Sequence, residues 1–448
     1  MMKRFLLAAL LLCLPLAGWA EEPLAQTDVG PVRGQAIGRG ALFRAIPYAM
    51  PPLGERRWKP PEPVAHWVEP REATKIGPPC LQADFGWNAK EAASGSEDCL
   101  TLDIRTPDFR ESAKLPVMVW FHGGSNRAGA GNGYTTSSII LHGVVLVTVQ
   151  YRLGVFGFLT HPALTAESAH HASGDYGLLD QIAALHWVQA NIAHFGGNPA
   201  NVTIFGQSAG AQDVSLLMLS PLAKGLFAKA IEESGTPGFG WPFHSLAENE
   251  GRAAGTPLDE LRKMPGDKLL ALQDKFQPSP VTDGWVIPKD PQDLRPAQVP
   301  LIIGSNHREE PLEGDIGEVI ANAFGKNARQ MRGAYNVAEA DDLATDINYR
   351  CPAQMVARRH TAPVWLYEFN MGPKVGHSSE LPYVFGQGSA MQNYWVNFAR
   401  TGDPNGVGLP NWPLFTASKT GSYLDFTDAG PIAKSNLRVA ICKLLPRL

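Results

Sequence analysis

The segment VTIFGQSAGA, residues 202–211, constrains the fold of this chain more than any other stretch. Its first four residues are β-branched or aromatic and predict a buried strand, whereas Leu216, Leu217 and Met218 continue an apolar helical run. The turn GQSAG connects these two elements. On a sharp turn of this kind the central serine exposes its hydroxyl, and the flanking glycines leave room for the neighbouring backbone. Ser208 is therefore the candidate nucleophile.

The rest of the chain predicts a parallel sheet with helices on both faces. Continuous apolar runs are typical of strands buried on both sides, and the first two runs suggest neighbouring central strands. The runs are residues 115–122, 144–151, 227–231, 299–303 and 363–369. Residues 177–195 carry apolar side chains at helical spacing and end at a glycine pair, whereas residues 31–61 suggest a hairpin and loops at one edge. We expect an α/β fold with a mostly parallel central sheet, covered by helices on both faces and carrying loop insertions.

The first twenty residues have the features of a cleavable signal peptide. Two basic residues precede an apolar run over residues 5–16, and cleavage is expected after Ala20. The run is too short to span a membrane, and leucine before Cys13 argues against a lipid anchor. We therefore expect a periplasmic or secreted protein without a stable membrane anchor. With no linker, charge block or repeat, residues 21–448 are predicted to form one domain.

Charge and cysteine content restrict the partners and the compartment. Without the leader, 37 basic residues face 43 acidic ones, and this net charge near −6 disfavours nucleic acid or an anionic membrane as a partner. Four cysteines remain, which allows two disulfides with three possible connectivities in an oxidising compartment. Cys80 and Cys99 enclose a polar loop, whereas Cys351 with Cys442 would tie down the C-terminal end. No spacing is typical of a zinc site, and nothing in the sequence indicates the oligomeric state.

Ser208 needs a base, an acid that orients the base, and donors for the oxyanion. His377 and Glu309 both follow predicted strands, at the sheet edge where doubly wound folds carry out their chemistry. His377 is the predicted base and Glu309 the predicted acid, although the adjacent Glu310 could take the second role. The order serine, acid, histidine is that of α/β-hydrolases and differs from the two other common serine-triad folds.

The glycine turn after residues 115–122 supplies the predicted oxyanion donors. These are the backbone N–H groups of the turn Gly123-Gly124-Ser125, joined by that of Ala209. Arg127 follows three positions after Gly124 and could bind an acidic acyl group through two parallel hydrogen bonds. The alternative is that Arg127 points into solvent or pairs with a surface carboxylate, as most arginines do.

Long segments of the chain resemble the type-B carboxylesterases, the cholinesterase-like branch of the α/β-hydrolase fold. The resemblance covers nearly the whole mature chain and includes several specific motifs. The segments are FRAIPYAMPP (43–52), SEDCLTLDI (96–104), VWFHGG (119–124), YRLGVFGFL (151–159), GDYGLLDQIAALHWVQANIAHFGGNPANVTIFGQSAG (174–210) and VGHSSELPYVFG (375–386). The family's disulfides imply Cys80 with Cys99 and Cys351 with Cys442.

The resemblance implies a serine carboxylesterase that acts on small-molecule esters without a metal or organic cofactor. It places Ser208, Glu309 and His377 in the triad, and the spacing Gly-Ser-Asn-x-x-Glu selects Glu309 over Glu310. It also implies that Gly124, Ser125 and Ala209 provide the oxyanion donors. Two other interpretations stay open: a non-catalytic binding or adhesion protein on the same fold, and an esterase specialised for acidic acyl groups.

Departures from the family pattern qualify this interpretation. Ser125 stands where a third glycine is usual, so the turn lacks that residue's conformational freedom. Only 68 positions separate Glu309 from His377, which suggests a trimmed, shallower site that accepts varied esters. In cholinesterases the loop corresponding to residues 80–99 carries an aromatic that holds a cationic alcohol. Trp87 and Phe85 are candidates for this role, and plain loop packing is the alternative.

Overall fold

The structure is a computed structural model that describes residues 22–237, 243–331, 333–336, 339–386, 388–416 and 421–446. The predicted signal peptide, residues 1–20, lies outside the described residues. The strands are β1 (Leu24–Gln26), β2 (Pro31–Arg33), β3 (Gln35–Ile37), β4 (Gly40–Pro47), β5 (Arg71–Glu72), β6 (Thr101–Thr106), β7 (Leu115–Phe121), β8 (Val145–Val149), β9 (Gly197–Gln207), β10 (Lys229–Glu233), β11 (His244–Ser245), β12 (Val281–Thr282), β13 (Leu301–Asn306), β14 (Val364–Asn370), β15 (Ser422–Thr427) and β16 (Gly430–Ser435).

Helices connect most of the strands and differ widely in length. The α-helices are α1 (Ala89–Ser94), α2 (Gly154–Phe158), α3 (Pro162–Glu167), α4 (Tyr176–Asn191), α5 (Ala209–Leu219), α6 (Leu246–Ala253), α7 (Leu258–Lys263), α8 (Gly266–Leu270), α9 (Gln273–Phe276), α10 (Ile316–Phe324), α11 (Ala340–Thr345), α12 (Cys351–Arg359), α13 (Leu381–Phe385), α14 (Ala390–Thr401) and α15 (Val439–Cys442). Within the described ranges, no helix combines the length and the apolar character needed to cross a membrane.

The central sheet confirms the predicted mostly parallel architecture. In the described chain it has eleven strands in the order β16-β15-β14-β13-β10-β9-β7-β8-β6-β4-β3. All neighbouring strands from β15 to β8 pair in parallel. At the edges, β16 pairs antiparallel with β15, and the successive pairs β8-β6, β6-β4 and β4-β3 are antiparallel. The predicted neighbours β7 and β8 pair directly, and β3 with β4 forms the expected hairpin at one edge. Parallel pairing brings the carboxyl ends of β9, β13 and β14 to one edge of the sheet.

Both faces of the sheet are buried, which explains the continuous apolar runs. Along β7, Val117 and Val119 point into one hydrophobic core, whereas Met118 and Trp120 point into a second core on the opposite face. Successive side chains of a strand alternate between faces, so a strand in this position must be apolar throughout. Helices α4 and α5 contribute to the first core, and α13 and α14 contribute to the second.

Two element boundaries differ from the sequence-based expectation. The predicted helix over residues 177–195 begins at Tyr176 and ends at Asn191, and Ile192–Phe195 continue it as a 3₁₀ helix before Gly196 reverses the chain with φ 81°. Strand β9 begins at Gly197 rather than Val202. Pairing of Gly197 with Leu115 of β7 holds these polar, proline-containing residues extended, so tertiary pairing overrides their weak strand propensity.

Both disulfides expected from the resemblance are present. Cys80 is joined to Cys99, and Cys351 is joined to Cys442. The second bond lies in a separate hydrophobic cluster that includes Phe324. It connects α12 to α15 and so attaches the C-terminal end to the segment that follows β13.

Candidate active site

Ser208 occupies the sharp turn between β9 and α5 in a strained conformation. Its φ of 58° and ψ of −127° lie in a region of backbone conformation that residues other than glycine rarely adopt. Neither glycine of the motif, Gly206 or Gly210, has room for a side chain. A Cβ atom on Gly206 would approach the carbonyl group of Gly210 to 2.4 Å, and one on Gly210 would lie 2.1 Å from the carbonyl oxygen of Phe121. The turn thus closes tightly against β7 and holds the Ser208 backbone in place.

His377 and Glu309 form a short hydrogen-bonded pair. The imidazole Nδ1 lies 2.7 Å from Glu309 Oε2, and the His377 backbone N–H donates to the Glu309 carbonyl at 2.8 Å. Because Nδ1 donates to the carboxylate, Nε2 is the nitrogen that can accept a proton. The amide nitrogen of Gln207, the residue before Ser208, lies 3.3 Å from that Nε2. The fold therefore brings the strained turn, the imidazole and the carboxylate together, whereas Glu310 is exposed.

Two opposing effects set the pKa of His377. Burial lowers this pKa, but the hydrogen bond and charge of Glu309 raise it, with further contributions from the charges of Glu380 and Glu310. The net result is a pKa above the ordinary histidine value. The site therefore stabilises an imidazolium, the form that a base takes after accepting a proton.

Asn306 orients the carboxylate of Glu309 at the end of β13. Its backbone N–H donates to Glu309 Oε1 at 2.6 Å, and its side-chain amide donates to Glu309 Oε2 at 3.3 Å and to Glu380 Oε2 at 2.6 Å. Burial, followed by the nearby charge of Glu309, raises the pKa of Glu380. On the other side, Thr345 Oγ1 accepts the backbone N–H of Glu309 at 3.0 Å.

Sequence reasoning missed these supporting residues. Asn306 was present in the Gly-Ser-Asn-x-x-Glu spacing, but the motif gave no hint that its amide bridges two carboxylates. Glu380 follows His377 by three positions, and neither residue type nor spacing distinguishes it from a solvated side chain. Thr345 carries no local signal, since it lies 36 positions after the residue that it supports.

A buried ion network supports the loop that carries Glu309. The Arg350 guanidinium donates to the carbonyl oxygen of His307 at 2.7 Å and to Glu368 at 2.9 Å, and it also pairs with Asp346. Arg438, near the C-terminus, donates to the other oxygen of Asp346 at 2.8 Å. Each buried carboxylate of the network therefore has a cationic partner, as burial of charge requires.

The predicted oxyanion turn lies directly beside Ser208. A Cβ atom on Gly123 would stand 2.9 Å from Ser208 Cβ. Among the residues that the structure describes, no acceptor takes the backbone N–H of Gly124, Ser125 or Ala209. Backbone donors that are unmatched within the protein are the groups needed to stabilise a developing negative charge.

Ser125 adopts the left-handed conformation although it is not glycine. Its φ is 57°, between Gly124 at 115° and Asn126 at 54°. The strain is offset by the neighbouring residue, since Asn126 is buried and its side-chain amide donates to Asp213 at 2.8 Å. The backbone N–H of Gly154 also donates to the Asn126 carbonyl at 2.6 Å. The turn therefore retains its shape without the third glycine.

Trp87 and Arg127 both flank the oxyanion turn but differ in their contacts. The ring atom Cη2 of Trp87 lies 3.2 Å from the position that a Cβ on Gly124 would take, and the side chain is 65% exposed. Arg127 instead pairs with Asp274 at 2.5 Å, and its guanidinium carbon lies 5.6 Å from the ring centre of Phe85. The structure thus shows Arg127 paired with a surface carboxylate, the alternative to an acyl-binding role.

The chain is similar to known carboxylesterases over most of its length. A model of the carboxylesterase family matches residues 21–313 and 312–444. Carboxylesterase 1C of Rattus norvegicus is 34% identical over 504 residues, covering 91% of this chain and 90% of that protein. A medium-chain fatty acyl-CoA hydrolase precursor of Anas platyrhynchos is 35% identical over 509 residues, covering 91% and 89%. The solved structure of carboxylesterase EST55 from Geobacillus stearothermophilus superposes with a TM-score of 0.82 at 30% identity, covering 94% of this chain and all of that one.

Proposed function

We propose, since the chain belongs to the carboxylesterase family, that it hydrolyses carboxylic esters through an acyl-enzyme formed on Ser208. It is a carboxylic ester hydrolase, and the proposal concerns how the reaction is carried out. His377 is the base, Glu309 orients it, and no step uses a metal or organic cofactor. The observation that supports this most directly is the 2.7 Å contact between His377 and Glu309, next to the strained turn at Ser208.

The proposed reaction has two halves with the same proton path. Ser208 Oγ attacks the ester carbonyl while His377 Nε2 takes the hydroxyl proton and then returns it to the leaving alcohol. Glu309 stabilises the imidazolium that exists between these transfers. In the second half, His377 activates a water molecule that releases the acyl group as a carboxylic acid, and Ser208 regains its proton.

Backbone donors carry the negative charge that develops on the carbonyl oxygen. We assign this role to the N–H groups of Gly124, Ser125 and Ala209, and each donor of this kind contributes about 3 kcal/mol of transition-state stabilisation. The left-handed backbone at Ser125 and the position of Ala209 at the start of α5 fix these donors before the substrate binds. Such preorganisation avoids a reorganisation cost during the reaction.

A serine-directed label tests the nucleophile. A sulfonyl fluoride is expected to modify Ser208 alone and to abolish hydrolysis of a nitrophenyl ester, as Ser208→Ala also should. Ser234→Ala is a matched control, because Ser234 is buried and left-handed with φ 54° at the end of the neighbouring strand β10. The control should still be labelled. A protein that binds esters but shows neither labelling nor turnover would instead fit the non-catalytic interpretation.

We propose that the acyl group is neutral and varied. The guanidinium of Arg127 is already engaged by Asp274 and lies over Phe85, which leaves little charge for an acidic acyl group. A monoester of a dicarboxylic acid is compared with a neutral ester of equal length, in the wild type and in Arg127→Ala. The ratio of the two kcat/KM values should be the same in both proteins. A tenfold change in that ratio would assign acidic acyl specificity to Arg127 instead.

Export is a further part of the proposal. It rests on the predicted leader together with two disulfides, which form and persist in oxidising compartments. Fractionation of the producing cells, with mass determination of the N-terminus, is expected to find the protein outside the cytoplasm and beginning at Glu21. Recovery of the intact leader in the cytoplasmic fraction would contradict this part alone.

A further inference from the structure

A polar cleft contains the buried Arg105, which lies on β6 opposite Leu146, near the start of β8 and away from the carboxyl ends of the parallel strands. It has a volume of about 390 Å³ and is lined mainly by Arg105, Thr136, Ser137, Ser138, Leu141 and Phe385. We call it the Arg105 cleft. No acidic side chain lines it, and none of its lining residues belongs to the proposed triad or oxyanion turn.

Arg105 is buried without a countercharge. It is 9% exposed, and among the described residues no carboxylate forms an ion pair with it. Arg44, on the neighbouring strand β4, is equally buried but pairs with Asp103 at 3.0 Å. Burial lowers the pKa of Arg105, which is the direction expected when nothing nearby compensates its charge. The remaining donors of the Arg105 guanidinium are not sealed from solvent, so an anion that enters the cleft can reach them.

The hydrogen bonds of Arg105 leave part of its guanidinium fork unused. Nη1 donates to the carbonyl oxygens of Ala41 at 3.1 Å and Thr106 at 3.0 Å. Within the described chain, Nε and Nη2 have no hydrogen-bond acceptor, and both belong to a side chain that lines the cleft. These two donors have the geometry that binds a carboxylate or phosphate through parallel hydrogen bonds.

A second orphaned polar group lies in the same cleft. The hydroxyl of Ser137 is buried and lacks a hydrogen-bond partner among the described residues. The adjacent Ser138 hydroxyl differs, since it donates to the carbonyl oxygen of Phe385 at 3.2 Å and accepts from Gln392 at 3.2 Å. Buried polar atoms are normally satisfied, so the Ser137 hydroxyl lacks the partner that such an atom usually has.

We propose that the Arg105 cleft binds a small anion that carries a carboxylate or phosphate group. The anion accepts two parallel hydrogen bonds from Nε and Nη2 of Arg105. This binding does not depend on the esterase mechanism, because the cleft shares no residue with the proposed catalytic site. The ring of Phe385, which forms one wall of the cleft, lies 4.9 Å (between ring centres) from that of Trp120, on the strand that leads to the oxyanion turn.

Titration calorimetry at low ionic strength tests the site with two probes, inorganic phosphate and succinate. The wild type should bind one equivalent of the preferred probe with a Kd of about 1 mM or tighter. Arg105→Gln should weaken this binding at least tenfold. Arg110→Gln is the matched control, because exposed Arg110 already pairs with Asp108, and it should bind as the wild type does. The probe that binds more tightly identifies the group that the cleft prefers.

A second variant, Leu141→Glu, allows the site to be tested even if Arg105→Gln does not fold. Leu141→Glu keeps the hydrogen bonds of Arg105 but places a carboxylate at an exposed position on the cleft wall, where it should repel or replace the anion. Thermal unfolding verifies that each variant is folded. The proposal is overturned if the wild type shows no saturable binding of either probe, or if folded Leu141→Glu and Arg105→Gln both bind as the wild type does.

Discussion

Glu309→Gln tests the electrostatic role of the proposed acid with little change in side-chain shape. In the structure Oε2 lies 2.7 Å from His377 Nδ1, and the centres of the two charged groups are separated by about 4 Å. At an effective dielectric constant of about 20, a pair at that separation interacts by about 4 kcal/mol. Since each 1.36 kcal/mol corresponds to a tenfold change in rate, kcat should fall about 10³-fold. An amide that stabilises the wrong tautomer would extend the loss toward about 10⁴-fold.

The pH profile separates this electrostatic role from a merely structural one. Burial lowers the pKa of His377, whereas Glu309 is the main group that raises it. In the wild type, kcat/KM should therefore fall as pH drops through a value above 6.5, because the base must be neutral to act. Without the carboxylate the pKa of the imidazole falls, so the residual activity of Glu309→Gln should persist to lower pH.

Initial rates with a nitrophenyl ester between pH 5 and 9 provide both quantities. Glu310→Gln is the matched control, since Glu310 is exposed and contributes less to the pKa of His377. Its kcat should stay within a few-fold of the wild type. A larger loss in Glu310→Gln than in Glu309→Gln would transfer the role to Glu310. An unchanged acid limb in Glu309→Gln would refute the electrostatic reasoning even if kcat fell.

Three other changes have defined outcomes. Gln207→Glu places a carboxylate near Nε2 of His377, raises the pKa of the imidazole and should move the acid limb of kcat/KM up by about one pH unit; a shift to lower pH would contradict the 3.3 Å contact. Removing the bond between Cys351 and Cys442, which are 91 positions apart, should cost about 4 kcal/mol of unfolding free energy in a urea titration. Trp87→Ala should raise KM for a choline ester about two- to fivefold relative to its neutral isostere, because cation–π contacts at exposed positions are weak. Equal KM changes for the two esters would assign Trp87 to loop packing.

Local pattern was sufficient to predict the parts of the structure whose causes are local. The turn at Ser208 is specified by a strand-forming run, two glycines and a helical run, all within about fifteen residues. Apolar runs buried on both faces identified the central strands, since few other environments tolerate them. The choice of Glu309 over Glu310 came instead from the resemblance to the family's spacing around Asn306, and Glu309 is the residue hydrogen-bonded to His377.

Features that depend on distant partners could not be predicted in this way. Strand β9 begins at Gly197 only because β7 is available for pairing. Arg127 meets Asp274, which follows it by 147 positions on α9, and no pattern near either residue indicates the contact. The supports from Thr345 and Glu380 have the same origin. Such contacts are set by tertiary packing, which overrides local preference and leaves no periodic signal in the sequence.

The support of the Glu309 loop has a consequence for biosynthesis. The supporting hydrogen bond to Asp346 comes from Arg438, which follows Ser208 and the glycine turn by more than 200 positions. A chain that emerges from the ribosome can therefore complete the nucleophile turn long before it can secure the acid. We expect nascent or C-terminally truncated chains to contain every proposed catalytic residue and yet remain inactive. Hydrolysis would then begin only after the segment that carries Arg438 has been translated.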